Sequence, residues 1–181
     1  MITNPKKLIF LTGFMGAGKT SVGRILADLL SCRFIDLDQL IVETEQKTIN
    51  EIFADKGETY FRECETTVLR HLSVEETAVC STGGGIVLRT ENREWMRQIG
   101  VIIYLRAEWS TLKKRLLLSR DRPLIKHESH ESDWSDVKRL WEQRQTFYSA
   151  ADLIIDTDNL APKQVAKNIA AHLQKGNLIN D

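Results

Sequence analysis

Cysteine is scarce in this chain: three residues, Cys32, Cys64 and Cys80, in a length of 181. The number is odd and the spacing matches no metal-ligand pattern, so the set argues against a disulfide framework and points to reduced thiols in a cytoplasmic protein. Neither sign of charge prevails, with 25 Lys+Arg against 25 Asp+Glu. No global field therefore draws the chain to nucleic acid or to a membrane, and any such role would rest on local charge placement. No apolar run is long enough to span a bilayer. The early one, Leu8 to Leu11, is short and lacks a signal-peptide cleavage pattern. Internal repeats and low-complexity linkers are absent as well. The length suits one domain with an adequate core, taken as residues 1–181.

What is present is a phosphate-binding signature. Gly13-Phe14-Met15-Gly16-Ala17-Gly18-Lys19-Thr20 fits G-x-x-x-x-G-K-[ST]. It stands where the mechanism needs it. Leu8-Ile9-Phe10-Leu11 before it reads as a buried strand, and Val22, Ile25, Leu26, Leu29 and Leu30 after it recur at helical spacing. Glycines let backbone N–H groups turn toward one anion, and the helix start adds its positive dipole end. Lys19 can then reach terminal phosphates, and Thr20 can ligate Mg²⁺. A glycine-rich turn with a chance lysine is the plain alternative; the flanking strand and helix argue against it.

Further along, Arg33–Leu37 reads as a second strand and Asp38–Glu45 as a helix. Thr48-Ile49-Asn50-Glu51 matches a capping box, opening a short helix that ends near Gly57. Glu58–Leu72 forms a longer helix, and Ala78–Thr82 a third strand that stops at Gly83-Gly84-Gly85. Thr90–Gln98 is helical, Val101–Leu105 is the clearest buried strand, and Ser110–Leu118 is a helix. A polar stretch covers 119–133. Asp133–Tyr148 is helical, Leu153–Ile155 is a fifth strand, and Ala161–Leu173 is the last helix. This alternation predicts a three-layer α/β fold with a mostly parallel sheet, whose ligands gather at the carboxyl ends of the strands.

The residues after each strand carry the chemistry. Asp36 and Asp38 end strand two and share one side if the strand runs through both. One carboxylate near the phosphates would support Mg²⁺, directly or through water. The other would orient or deprotonate an attacking hydroxyl. Asp38 also fits as the cap of the next helix, and the two roles can coexist. Gly83-Gly84-Gly85 allows a ligand to lie against bare backbone, or serves as a flexible connection. Arg62 and Arg144 are either solvated cations or a pair that grips an acidic substrate through paired hydrogen bonds. The charged stretch around Arg120, Arg122, Lys126, His127, Glu128 and His130 is long for a plain loop and suits an active-site lid; a surface loop is the alternative. His127 and His130 are spaced awkwardly for metal ligands and read as solvated lid residues. Trp95, Trp109, Trp134 and Trp141 fall on predicted helices or their starts and read as packing residues.

Taken together, the chain resembles the shikimate kinases. GFMGAGKT at 13–20, FIDLD at 34–38, Phe61-Arg62, the glycines at 83–85, Arg122-Pro123-Leu124, and Arg144 within EQRQTFY follow the family's order over almost the whole length. The resemblance implies a P-loop kinase fold with a five-stranded parallel sheet in the order 2-3-1-4-5, as in nucleoside monophosphate kinases. It implies ATP-dependent phosphorylation of the 3-hydroxyl of shikimate, with Mg²⁺, in aromatic amino-acid biosynthesis. Carried over by position, Gly16, Ala17, Gly18, Lys19, Thr20 and Ser21 hold the nucleotide, with Arg115 beside adenine. Lys19 and Arg122 stabilise the transferring group, Arg122 from a lid at about 117–133. Thr20 ligates the metal and Asp36 supports it. Asp38 contacts the shikimate hydroxyls and serves as base. Arg62 and Arg144 grip the carboxylate, and Gly83, Gly84 and Gly85 make close backbone contacts. The adenine loop falls within 156–162. Small molecules are the only partners implied, with no nucleic acid and no membrane, for a cytoplasmic monomer.

Three rivals remain from the residues. A gluconate kinase of the same fold also needs a phosphate loop and cations for a carboxylate. A nucleoside monophosphate kinase would need a second nucleotide site, which is not evident. A nucleotide-binding switch would leave the paired arginines without a purpose.

Overall fold

A computed structural model describes residues 8–118 and 134–175. The elements in chain order are β1 (Leu8–Thr12), α1 (Lys19–Leu29), β2 (Arg33–Asp36), α2 (Leu37–Glu45), α3 (Ile49–Arg70) and β3 (Ala78–Ser81). A 3₁₀ turn at Ile86–Leu88 leads to α4 (Thr90–Ile99), β4 (Gly100–Arg106), α5 (Trp109–Leu118), α6 (Trp134–Tyr148), β5 (Leu153–Asp156) and α7 (Pro162–Lys175).

The five strands form one sheet in the order β2-β3-β1-β4-β5, and every pairing is parallel. β1 lies at the centre, with Leu8 opposite both Ala78 and Gly100. Helices cover the sheet, which is why β1, β3 and β4 are near-continuous apolar runs, buried throughout except for Arg106. Leu8, Phe10, Leu11 and Ile103 are fully buried, and each such side chain contributes roughly 1.5–3 kcal/mol relative to exposure. α1 packs against α7 and β3, α2 against α3, and α4 against β4 and α3. The edge strands are less covered. At the β5 edge Ile154 is 38% exposed, and the register partners Arg106 and Asp156 close the pairing with an ion pair.

One expectation about boundaries is corrected. β2 ends at Asp36, so Asp36 and Asp38 do not share a strand face. Asp36 is itself the cap of α2: its Oδ1 accepts from the backbone N–H groups of Asp38 and Gln39, at 3.1 and 3.4 Å. Asp38 therefore sits in the first turn of α2, not at its cap. The two helices expected around Gly57 are both present and meet there as the two arms of α3. α3 opens with the capping box between Thr48 and Glu51 and bends at Gly57, whose φ of 76° interrupts the helix for one residue. The tryptophans do pack: Trp109 meets Trp134 and Trp141 with ring centroids 6.0 Å apart in each pair. Arg70 lies over Trp95.

Among the described residues no helix is long and apolar enough to cross a membrane. The thiols of Cys32, Cys64 and Cys80 are free, and burial pushes that of Cys80 up to about 12.

Candidate active site

A cavity of about 900 Å³ opens at the carboxyl ends of the strands. The phosphate loop forms its floor between β1 and α1. Gly13, Gly16 and Gly18 all take positive φ, so the loop curls back on itself, and Gly18 leads into α1 with no side-chain cap on its first turn. Those open N–H groups and the helix dipole favour an anion. Lys19 Nζ folds over the loop and donates to the carbonyls of Gly13 and Phe14 at 2.8 and 3.2 Å. Gly16, Ala17, Gly18, Lys19, Thr20 and Ser21 all line the cavity.

Thr20 connects the loop to β2 and β3. Its Oγ1 donates to Asp36 Oδ2 at 2.9 Å and lies 3.3 Å from Ser81 Oγ. With its hydrogen engaged by Asp36, the hydroxyl keeps a lone pair for a cation. Among the described residues no cluster of three or more His, Cys, Asp or Glu side chains could hold a metal ion. Mg²⁺ does not require such a cage, because it binds through few protein oxygens together with phosphates and waters. The Thr20–Asp36 pair fits that donor set.

A second group of charges surrounds Gly83-Gly84-Gly85. The glycines pass directly into the 3₁₀ turn, with the N–H of Leu88 donating to Gly85 O at 3.0 Å, so the segment is fixed backbone, not a loose connection. Arg62 lies flat against Gly85: a Cβ there would fall 1.9 Å from its Nη1. Arg144, only 7% exposed, donates from Nη1 to Gly84 O at 3.3 Å. Tyr148 donates to the same carbonyl, and burial pushes its phenol up to about 12 despite the pull of Arg144. Tyr148 in turn stacks on Tyr104, whose hydroxyl donates to Gln145. The two arginines that the sequence left open are thus brought to one turn, in the same cavity as Asp38 and the phosphate loop.

Glu65 is a site residue that the sequence reading missed. It is 1% exposed, and its Oε2 accepts from Arg62 Nη1 at 2.7 Å. Among the described residues its Oε1 has no hydrogen-bond partner. A Cβ at Gly83 would meet Glu65 Oε1 at 2.6 Å and Asp38 Oδ1 at 2.7 Å, so both carboxyl groups converge on that glycine. Burial pushes the Glu65 carboxyl up, Arg62 opposes the shift, and nearby Asp38 adds to it. A signal was available: Glu65 falls four residues after Phe61 and three before Val68, on the face that α3 buries. Glu58 was missed too; it accepts from Arg62 Nε and Nη2.

At the other end, Arg115 ties α5 to the loop. Its Nη1 donates to Thr157 Oγ1 at 3.2 Å and reaches the carbonyls of Gly16 and Ala17 at 3.4 and 3.5 Å. Its Nη2 donates to Thr157 O at 2.7 Å. Thr157, Leu160 and Pro162, from the stretch expected to flank adenine, line the cavity beside it. Asp156 instead turns outward to Arg106. Arg122 and the expected lid beyond Leu118 lie outside the described residues.

A sequence model of the shikimate kinase family matches residues 15–174. The chain belongs to the shikimate kinase family. Curated relatives agree over nearly the full length. The shikimate kinase of Geobacter metallireducens is 44% identical over 166 residues, covering 92% of this chain and 91% of the relative. That of Chloroherpeton thalassium is 42% identical over 173 residues, covering 93% and 92%. Among solved structures, shikimate kinase from Acinetobacter baumannii in complex with shikimate superposes with a TM-score of 0.85. It has 35% identity and covers 93% of each chain. The sheet order expected of shikimate kinases is the one observed. Phe14 of the phosphate loop is 1% exposed and joins the core.

Proposed function

We propose that this chain transfers the γ-phosphoryl group of ATP to the 3-hydroxyl of shikimate, giving shikimate 3-phosphate and ADP in the shikimate pathway. One observation carries the reading. Two guanidiniums, Arg62 and Arg144, reach one glycine turn inside the cavity that also holds Asp38 and the phosphate loop. A ring acid with hydroxyls presents the complementary groups, a carboxylate at one end and an acceptor at the other.

The roles follow from position. Arg62 and Arg144 hold the substrate carboxylate, with the backbone of Gly83, Gly84 and Gly85 close against the ring. Asp38 accepts the proton of the attacking hydroxyl. Lys19 leaves the carbonyls of its own loop for the phosphate oxygens and spreads the developing charge. The N–H groups of Gly16, Ala17, Gly18, Thr20 and Ser21 cradle the phosphates, and Arg115 flanks adenine. Thr20 Oγ1 would ligate Mg²⁺, and Asp36 would support it by holding that hydroxyl in place. Bound Mg²⁺ supplies neutralisation of the charge shared by the β- and γ-phosphates. Arg122 balances charge from a lid at about 117–133. We take residues 1–181 as one domain, acting on small molecules as a cytoplasmic monomer.

A coupled assay for ADP, with ATP and Mg²⁺, tests the assignment on shikimate, quinate, gluconate and nucleoside monophosphates. Shikimate should be preferred by a wide margin, because a poorer analogue leaves buried polar groups unpaired. Equal or faster turnover of gluconate would overturn the assignment.

A further inference from the structure

Arg62 is already occupied. Its Nε and Nη2 donate to one oxygen of Glu58, at 3.1 and 2.8 Å, and its Nη1 donates to Glu65 Oε2 at 2.7 Å. Three of its five N–H groups are therefore engaged by carboxylates of its own helix. The two partners differ in freedom. The Glu65 side chain is 2% exposed and cannot leave without stranding the partly buried Arg62 cation. The Glu58 side chain is 60% exposed, follows the bend at Gly57, and lines the cavity. It can rotate into water at little cost, because exposed ion pairs are weak.

Two further observations bear on what happens when an anion arrives. Three carboxyl groups, Asp38, Glu58 and Glu65, line the cavity beside Arg62 and Arg144, while Lys19 and Arg115 line it at the phosphate-loop end. The carboxyl groups around Arg62 compete with an incoming carboxylate for its charge. Glu58 also satisfies the Nε–Nη2 edge poorly, because both N–H groups point at the single oxygen Oε1. A ligand carboxylate with an oxygen for each N–H makes the stronger, paired arrangement.

We propose that Glu58 is an exchangeable counter-ion, which occupies Arg62 in the empty site and gives way to the acceptor's carboxylate. The inference rests on the functional reading above. In the empty enzyme Glu58 keeps the guanidinium extended and neutralised. On binding it swings out, so the affinity for carboxylate-bearing acceptors is set by competition between two carboxylates for one edge of Arg62. Glu58 does not touch the substrate; it acts through Arg62. A purely orienting Glu58 would have the opposite effect, since its loss would let Arg62 wander and weaken binding.

Calorimetric titration with shikimate, in the absence of ATP, separates these. Glu58→Gln and Glu58→Ala should each bind shikimate about two- to fivefold more tightly than wild type, the range expected from an exposed ion pair. Shikimate methyl ester should bind all three proteins alike, and the gain for shikimate should shrink at high salt. Equal or weaker shikimate binding in either folded variant would overturn the inference. In wild type alone, shikimate should shift the Arg62 Nε–H resonance and the Glu58 carboxylate carbon together. An unmoved Glu58 signal at saturation would overturn it without any variant. A wild-type protein that binds no shikimate would sink the functional reading itself, whereas normal binding with unaltered variants would sink only the role of Glu58.

Discussion

Asp36 serves Thr20 and α2 at once: Oδ2 accepts the Thr20 hydroxyl at 2.9 Å, while Oδ1 caps the helix through the N–H of Asp38. The hydroxyl proposed to ligate the metal and the start of the helix that carries the proposed base are therefore set by one carboxylate.

Asp36→Asn tests this double use. Asparagine caps about as well as aspartate, so thermal stability without nucleotide should change by no more than roughly 0.5 kcal/mol. The Mg²⁺ concentration for half-maximal activity should rise about tenfold, the lower end of the effect of removing a group that supports a metal ligand. A lowered melting temperature with an unchanged Mg²⁺ dependence would show that Asp36 is only a cap.

Asp38→Asn now carries a cleaner prediction, since Asp38 does not cap α2. Turnover should fall by about 10²–10⁴, the usual contribution of a positioned general base. Stability should hold or rise slightly, because one carboxyl group near Glu65 is neutralised. Steady-state kinetics beside thermal melts decide it, and retained turnover in a folded variant would remove Asp38 from the base role.

Gly85→Ala should act on substrate binding alone. The backbone at Gly85 has an ordinary φ of −100°, so alanine is not strained there. Its methyl group would fall on Arg62 Nη1, however, at 1.9 Å, and push the guanidinium away. Loss of a charge-assisted contact worth about 1.5–3 kcal/mol raises KM for shikimate by roughly 10- to 100-fold, with KM for ATP unchanged. An unaltered KM for shikimate would show that Arg62 does not meet the substrate.

Glu65 should leave a mark on stability against pH. Burial raises its carboxyl above the unfolded value of about 4.3. The contribution of a group raised in this way is fully present below the unfolded value and is lost as pH rises through the folded one. The stability of wild type relative to Glu65→Gln should therefore decline as pH climbs above about 4.3. Denaturant melts of both proteins from acid to neutral pH measure the difference, in which other carboxylates cancel. A constant difference across that range would mean that Glu65 titrates normally.

The sequence was readable where one residue type settles the backbone. Continuous apolar runs marked β1 and β4, and the glycines and Lys19 marked the phosphate loop. The boundary at Asp36–Leu37 was not readable, because apolar Leu37 prolongs the strand pattern while the cap is decided by a carboxylate in three dimensions. Gly57 read as a helix end, and its non-helical backbone does break the path there, so α3 is two helices meeting at a kink. Strand order came from resemblance, since parallel pairings such as Leu8 with Gly100 join residues far apart in the chain. Arg62 and Arg144 were singled out, but their meeting at Gly84 and Gly85 needed the fold. Glu65 is harder to read, because a lone glutamate on an apolar helix face shows its role only once Arg62 folds against it.

The charged pair that ends the β5 edge bears on how this enzyme behaves in a crowded solution. An outermost strand offers unpaired backbone groups to any neighbouring molecule, and Ile154 adds an apolar invitation. A sixth strand docking there would crowd Asp156, whose partner Arg106 stands on the neighbouring β4. A charged pair at this position would oppose strand addition at the β5 edge, and replacing both residues by serine should speed the loss of soluble protein on storage before any change in catalysis is seen.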